Sequence, residues 1–119
     1  MSEPVSADTA EHYNWSDITR GGICDGWHLV RNEALSVIEE RMPPSTSEQR
    51  HWHRNARQFF YVLEGELTMA FDDRTVVLTA RQGIEIAPGV PHQAKNTSGA
   101  DVRFLVISQP PGQGDRQTA

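Results

Sequence analysis

The sequence predicts an all-β domain, a small sandwich or barrel. Short runs rich in Val, Ile, Phe and Tyr recur along the chain. Turn residues separate them, and no stretch of any length has the i, i+3, i+4, i+7 apolar spacing of a helix. The runs are, in order, Trp27–Arg31, Ala34–Arg41, Gln49–His53, Gln58–Leu63, Glu66–Phe71, Thr75–Thr79, Ile84–Ala87, His92–Asn96 and Val102–Ser108. Pro43-Pro44-Ser45, Glu64-Gly65, Asp72-Asp73, Pro88-Gly89 and Ser98-Gly99 carry the turn chemistry between them.

Individual runs justify the strand assignment. Ile84 and Ile86 alternate with Glu85, the period of a half-buried strand. Phe59 to Leu63 is apolar on both faces, so one face lines the interior and the other needs a cover. A second subunit or the N-terminal segment would supply it, and a homodimer is the expected assembly. Residues 1–14 are polar and are expected to be a mobile segment, with the β domain over 15–109. Residues 110–119 lack apolar side chains and are expected to be a flexible tail outside the core.

Composition narrows the function classes. A chain of 119 residues is one domain and can enclose one core. The net charge of −5 counts against nucleic acid and against anionic membranes, because both want an excess of Lys and Arg. No apolar run approaches the ~20 residues of a membrane span. The first residues carry no basic start or apolar stretch, so a cytoplasmic protein with a small-molecule ligand is expected. Cys24 is the one cysteine, which excludes an internal disulfide and an all-Cys or Cys/His structural zinc site.

The histidines carry the chemistry. His51 and His53 are two apart, so on a strand both imidazoles face one side and Trp52 the other. Two imidazoles on one side are half of a first-row metal site, or else a polar surface strand, since Gln49, Arg50, Arg54 and Asn55 flank them. Gln58 follows five residues later, and Pro88-Gly89-Val90-Pro91 delivers His92 to the start of another strand.

These two segments resemble the paired motifs of the cupin superfamily. The first runs from His51-Trp52-His53 through Gln58 to Gly65. The second is Pro88-Gly89-Val90-Pro91-His92, with Asn96 beyond it. The likeness extends from about Ser36 to Ser108. It implies a double-stranded β-helix, a jelly-roll barrel, with one divalent first-row metal (Zn, Ni, Fe or Mn) held by His51, His53, Gln58 and His92. Gln58 stands where cupins usually carry a glutamate. A neutral amide leaves the full charge on the ion and favours an anionic ligand such as an enolate or carboxylate. Alternatively Gln58 orients a bound water, or marks a site that has lost its metal. Arg81 stands where cupins usually carry a glycine, and a different turn is expected there, because arginine has no easy access to positive φ.

The resemblance implies dioxygenase-like chemistry on a small enol, diol or carboxylate substrate. The alternatives are a metal-assisted isomerase, cyclase or lyase, and a non-catalytic binding module. Sugar-phosphate isomerisation lacks the Lys and Arg cluster a phosphate needs. Other residues have weaker claims. His28 is an ordinary strand histidine or an acid/base near the barrel mouth. His12 lies in the polar head and carries no role. Tyr61 is out of phase with Gln58, Phe60 and Val62 and should pack on the opposite side. Arg57, Arg103 and Glu39 are candidates to bind an anion or move a proton. Trp15, Trp27, Met69, Phe71 and Phe104 supply apolar bulk, and Cys24 lacks a basic neighbour in sequence.

Overall fold

The structure, a computed structural model, describes residues 2–16, 22–112 and 114–119. Twelve strands form among these residues, and no helix. They are β1 (Glu11–Ser16), β2 (Ile23–Arg31), β3 (Ser36–Met42), β4 (Thr46–Ser47), β5 (His51–His53), β6 (Arg57–Glu64), β7 (Glu66–Ala70), β8 (Thr75–Thr79), β9 (Gly83–Ile86), β10 (Gln93–Asn96), β11 (Val102–Gln109) and β12 (Arg116–Thr118). One sheet runs β1-β2-β3-β11-β6-β9 and a second β4-β10-β7-β8, while β5 pairs with β12 in a short third piece. This is the double-stranded β-helix, or jelly roll, and each run predicted above lies on a strand.

Alternation along the strands builds the interior. On β11, Val102, Phe104, Val106 and Ser108 face inward while the residues between them are half-buried. Phe60 and Val62 of β6, Met42 of β3, and Leu67 and Met69 of β7 complete the core between the two sheets. Burying such side chains is the main stabilising term, roughly 1.5–3 kcal/mol each. The chain passes from the first sheet to the second at Gly65. Its φ is 86°, and a Cβ there would lie 2.4 Å from the Asp101 carbonyl oxygen.

Both chain ends depart from expectation. Residues 1–14 are expected to be a mobile segment, yet 11–14 belong to β1, which pairs with β2 along its whole length. Tyr13 and Trp15 face inward, while Asn14 and His12 face out and bind Asp25 at 2.8 and 2.7 Å. The tail also belongs to the fold, since Arg116, Gln117 and Thr118 pair with His53, Trp52 and His51. Polar bonds hold it there in place of apolar burial. The Asp115 carboxylate accepts from the Asn55 and Ala56 amides at 2.6 and 2.9 Å.

The turn at Arg81 is a further correction. Arg81 takes φ 70°, the left-handed conformation that a glycine would adopt freely. Docking onto β6 enforces it. The Arg81 amide donates to the Val62 carbonyl at 2.8 Å, and the Val62 amide donates to the Gln82 carbonyl at 2.9 Å. Thr79 gives both its amide and its hydroxyl to the Gln82 side chain.

The outer face of β6 stays open, with Phe59 39% and Leu63 41% exposed. Tyr61 shares that face and stacks on Phe59, 6.3 Å between centroids. The N-terminal strand lies at the far edge of the sheet from β6 and β9, so it is not the cover.

Replacing Arg81 with glycine is expected to stabilise the fold by roughly 0.5–1 kcal/mol. The relief of left-handed strain exceeds the added entropy of the unfolded chain. Chemical denaturation of both proteins measures it, and a destabilised variant would contradict the strain argument.

Candidate metal centre

Backbone bonds bring the two motif segments together. His51 and His92 exchange amide–carbonyl hydrogen bonds at 3.0 and 2.9 Å, an isolated antiparallel bridge between β5 and the residue before β10. Gly89, at φ 84°, donates its amide to the His53 carbonyl at 2.7 Å. The Pro88-Gly89 turn is thereby tied to β5, and His92 emerges beside His51. His51, His53 and His92 are all buried. Ring centroids are 4.5 Å apart for His51 and His92, 4.9 Å for His51 and His53, and 6.2 Å for His53 and His92.

Each ring is anchored through Nδ1. The acceptor is the Gln49 carbonyl for His51 at 2.9 Å, the Val90 carbonyl for His92 at 2.9 Å, and the Asp115 carboxylate for His53 at 2.8 Å. An acceptor facing Nδ1 places the proton there and leaves Nε2 as a lone pair, the arrangement of metal-ligating histidines. Burial keeps the rings of His51 and His92 neutral. It lowers His51 to about 3 and His92 to about 4, against partial opposition from the carbonyls they bind. Asp115 is held below the usual carboxylate range. Its burial raises it, but the Asn55 amide, His53 and the Ala56 amide together outweigh that.

Gln58, inward-facing on β6, completes the group. Its Oε1 lies 3.1 Å from His92 Nε2, and its amide nitrogen donates to the Ser108 hydroxyl at 3.0 Å. His92 Nδ1 already holds the ring proton, so Nε2 and Oε1 meet as two acceptors. Either the amide turns over and donates to His92, or a cation lies between the two atoms. Donors about 2.1 Å from one ion stand about 3.0 Å apart at right angles and about 3.4 Å at tetrahedral angles. The observed separation falls between those values. Among the described residues, no three His, Cys, Asp or Glu side chains are drawn together closely enough to hold an ion by themselves. The donor types, three imidazole nitrogens and the Gln58 amide oxygen, suit a first-row divalent ion, but the three imidazoles do not close on one by themselves.

His92 is fully buried, while His51, His53 and Gln58 beside it open onto a cavity of about 560 Å3. Its walls also carry groups the sequence reading missed: Tyr13, Glu40, Glu48 and Arg116. Glu40 faces inward from β3, and Glu48 lies in the turn before β5, 3.6 Å from His51 Nδ1. Burial raises both carboxyls, Glu40 to about 7 and Glu48 to about 8. Glu40 adds to the rise at Glu48, and Arg116 opposes it at both. Each retains accessible area that faces the cavity, so both are enclosed by protein yet reachable by a ligand. Arg116 points Nη2 at the Gln49 carbonyl, 3.4 Å away, and lies 3.2 Å from His51 Nδ1. Inward phase along Ser36, Ile38, Glu40 and Met42 was the available signal for Glu40. Nothing local marked Arg116.

The remaining candidates lie elsewhere. Glu39 binds Arg103 at 2.7 Å on the outer face, and Arg103 covers Trp27 at 4.7 Å. Arg57 pairs with Glu85 at 2.8 Å, both exposed. His28 packs against Tyr13, 5.0 Å between rings, away from the other histidines of the cluster. Trp15 lines the cavity, Met69 and Phe104 lie in the core with Phe71 packed against it, and Cys24 is buried in that core.

The model of the Cupin_2 family, the cupin domain, matches residues 38–108, and the chain belongs to that family. Its members generally bind a divalent metal and small molecules. The H2HPP isomerase of Bacillus subtilis is 37% identical over 74 residues, 61% of this chain and 31% of that protein. The HTH-type transcriptional regulator PuuR of Escherichia coli is 29% identical over 79 residues, 66% of this chain and 43% of the regulator. This chain thus matches less than half the length of both. The polyketide cyclase RemF from Streptomyces resistomycificus superposes with a TM-score of 0.81 at 23% identity, covering 100% of this chain and 86% of that one. No helix among the described residues is long and apolar enough to cross a membrane.

A raised carboxyl has a defined effect on stability. Below about 4.5 Glu40 is protonated in folded and unfolded chains alike, and nothing is lost. As pH rises towards 7 the unfolded chain releases that proton freely while the folded chain resists, so stability falls. Glu40→Gln is therefore expected to melt roughly 3–8 °C above wild type at pH 8 and to match it below pH 4.5. Thermal unfolding of chelator-treated protein at the two pH values checks this.

Proposed function

We propose that this chain is a metal-dependent cupin enzyme of the isomerase, cyclase or lyase type, moving a proton on a small substrate that bears a carboxylate or enol. One observation carries the reading. A single cavity sets the His51 and His53 imidazoles, held through Nδ1, together with two enclosed carboxyls, Glu40 and Glu48, that burial raises toward neutral pH. His51, His53 and His92, with Gln58, would hold the ion. When bound, the ion supplies Lewis acidity to an oxygen of the ligand.

The chain's own groups do the rest. The Nδ1 acceptors hold the imidazoles in one tautomer. Arg116 offers positive charge to an anionic ligand, and the cavity walls reduce competition from bulk water. Tyr13 is raised well above its ordinary value by burial and by Glu40 and Glu48, so its phenol stays protonated and does not act as a base. A dioxygenase acting on an enol or diol is the second reading. It is favoured by a wholly neutral donor set that leaves the charge on the ion undiminished. Oxygen consumption by Fe(II)-loaded protein with a diol substrate would support it over proton-shifting chemistry. The binding-module reading has the likeness to PuuR on its side, and turnover of any substrate refutes it.

Protein purified without chelator is expected to carry about one first-row divalent ion per chain, measured by elemental analysis. His92→Ala should abolish most of that binding. Asp115→Ala, which removes the acceptor for His53, should weaken it 10–100-fold, roughly the effect of losing such an orienting partner. Gln58→Glu should tighten it while weakening acetate binding at the loaded site, because the carboxylate removes one unit of net charge. No uptake of Zn(II), Ni(II) or Fe(II) on titration would sink the proposal.

A homodimer is proposed as the assembly, with the open apolar face of β6 against a second copy. Light scattering at micromolar concentration should return twice the 13.3 kDa of one chain. A mass of one chain would refute it.

A further inference from the structure

The sheet that carries Glu40 is built to keep a ligand-sized space in front of it. Gly26 of β2 lies between Tyr13 of β1 and Glu40 of β3 in one cross-strand row, so all three positions share the inward face. A Cβ on Gly26 would stand 2.2 Å from Tyr13 Cζ and 2.4 Å from its hydroxyl oxygen. The phenol therefore lies over the glycine and closes the row beside Glu40. Trp15 donates to the Glu40 carboxyl from the same strand as Tyr13. On the side of Glu40 away from β1 the row continues to Phe104 of β11, which is apolar and fully buried. What remains open to the carboxyl is the cavity itself, whose other wall carries His51, His53 and Gln58.

Among the acids of the cavity, position separates Glu40 from Glu48. Glu48 leans on His51 and accepts from the Ala94 amide. Both contacts tie it to the scaffold that holds the histidines. Glu40 has one neutral donor, Trp15, and a face on the cavity. Tyr13 cannot serve as a base at neutral pH, and the rings of His51 and His92 are neutral with their protons committed to backbone carbonyls.

We propose that Glu40 is the proton-transfer group of this cavity, acting on an anionic ligand held between Arg116 and the histidines His51 and His53. In the forward direction a C–H or O–H bond of the ligand breaks. The proton bonds to a Glu40 carboxylate oxygen, and the electron pair stays on the ligand. In the return step the Glu40 O–H bond breaks, and the proton passes to a different ligand atom, leaving the carboxylate as it began. No oxidant or reductant is consumed. The inference rests on the cavity being the ligand site, as argued under Proposed function. It adds which residue moves the proton and that the ligand is an anion able to release one.

Proton linkage tests it with a defined probe. The groups facing Glu40 are Tyr13 and Trp15 from β1, Glu48 from the turn before β5, His51 and His53 from β5, Gln58 from β6 and Arg116 from β12. Oxalate is titrated calorimetrically into Zn(II)-loaded protein at pH 7.5, in buffers of different ionisation enthalpy. An anion placed beside Glu40 raises its proton occupancy, and wild type should take up about half a proton per oxalate. Glu40→Gln should bind oxalate within tenfold of wild type and lose more than half of that uptake. Glu48→Gln should retain most of it. Unchanged uptake in Glu40→Gln, or loss in Glu48→Gln alone, overturns the inference while leaving the cavity's ligand role intact. Failure of the zinc-loaded protein to bind oxalate overturns the cavity reading and this inference together. A second readout needs neither ion nor ligand. Carbon-13 NMR of glutamate-labelled, metal-free wild type should show a carboxyl, absent from Glu40→Gln, that titrates near 7. A Glu40 carboxyl titrating near 4.5 overturns the proposal whatever the calorimetry gives.

Discussion

Two backbone hydrogen bonds, exchanged between His51 and His92, are the constraint on which the rest of the site depends. They join segments far apart in sequence and belong to no long ladder. Their geometry fixes how the two rings approach, and the Gly89 amide on the His53 carbonyl extends the clamp by one residue. Everything else in the centre refines this contact. The Nδ1 acceptors choose tautomers, Gln58 reaches in from β6, and β12 closes the outer edge of β5. Side-chain arrangement here follows from main-chain bonding, so a site assembled from separate strands keeps its alignment without a helix or a disulfide.

The cavity works against the stability that the core provides. A small barrel gains by filling its interior, and this one fills the half between Met42, Leu67, Met69 and Phe104. The other half holds imidazoles, an amide, two carboxyls and the guanidinium of Arg116 around open space. Two acids share one nearby cation there, so close to neutral pH part of their charge is removed by protons. Local strain of this kind is commonly concentrated at functional sites.

Much of this was legible in the sequence, for reasons that differ from element to element. The strand 84–87 announced itself by the alternation of Ile84 and Ile86 with Glu85, and 102–108 by its run of Val, Phe, Leu and Ile. The histidines were legible because i, i+2 phase on a strand is unambiguous, and the Pro-Gly turn before His92 supplied its entry. Three things were not. Tyr13 was overlooked because a polar head was read by composition when its alternation with Trp15 held the signal. β12 has no apolar residue, since hydrogen bonds to β5 and the Asp115 carboxylate hold it, and such bonds leave no hydropathy trace. Arg81 was expected to abandon the glycine turn, but contacts from β6 and Gln82 outweigh a local preference of about 1–2 kcal/mol.

The anchored imidazoles have one further consequence. An ordinary histidine site is in competition with acid, because below about 6.5 each ring must shed a proton before it can bind a cation. Here burial, against the opposition of the carbonyl acceptors, lowers His51 to about 3 and His92 to about 4, so it has already settled that contest for both rings. A cation entering between these two rings displaces no hydrogen ion from either. Its affinity for them is correspondingly insensitive to the acidity of its surroundings across the range in which most histidine clusters let go.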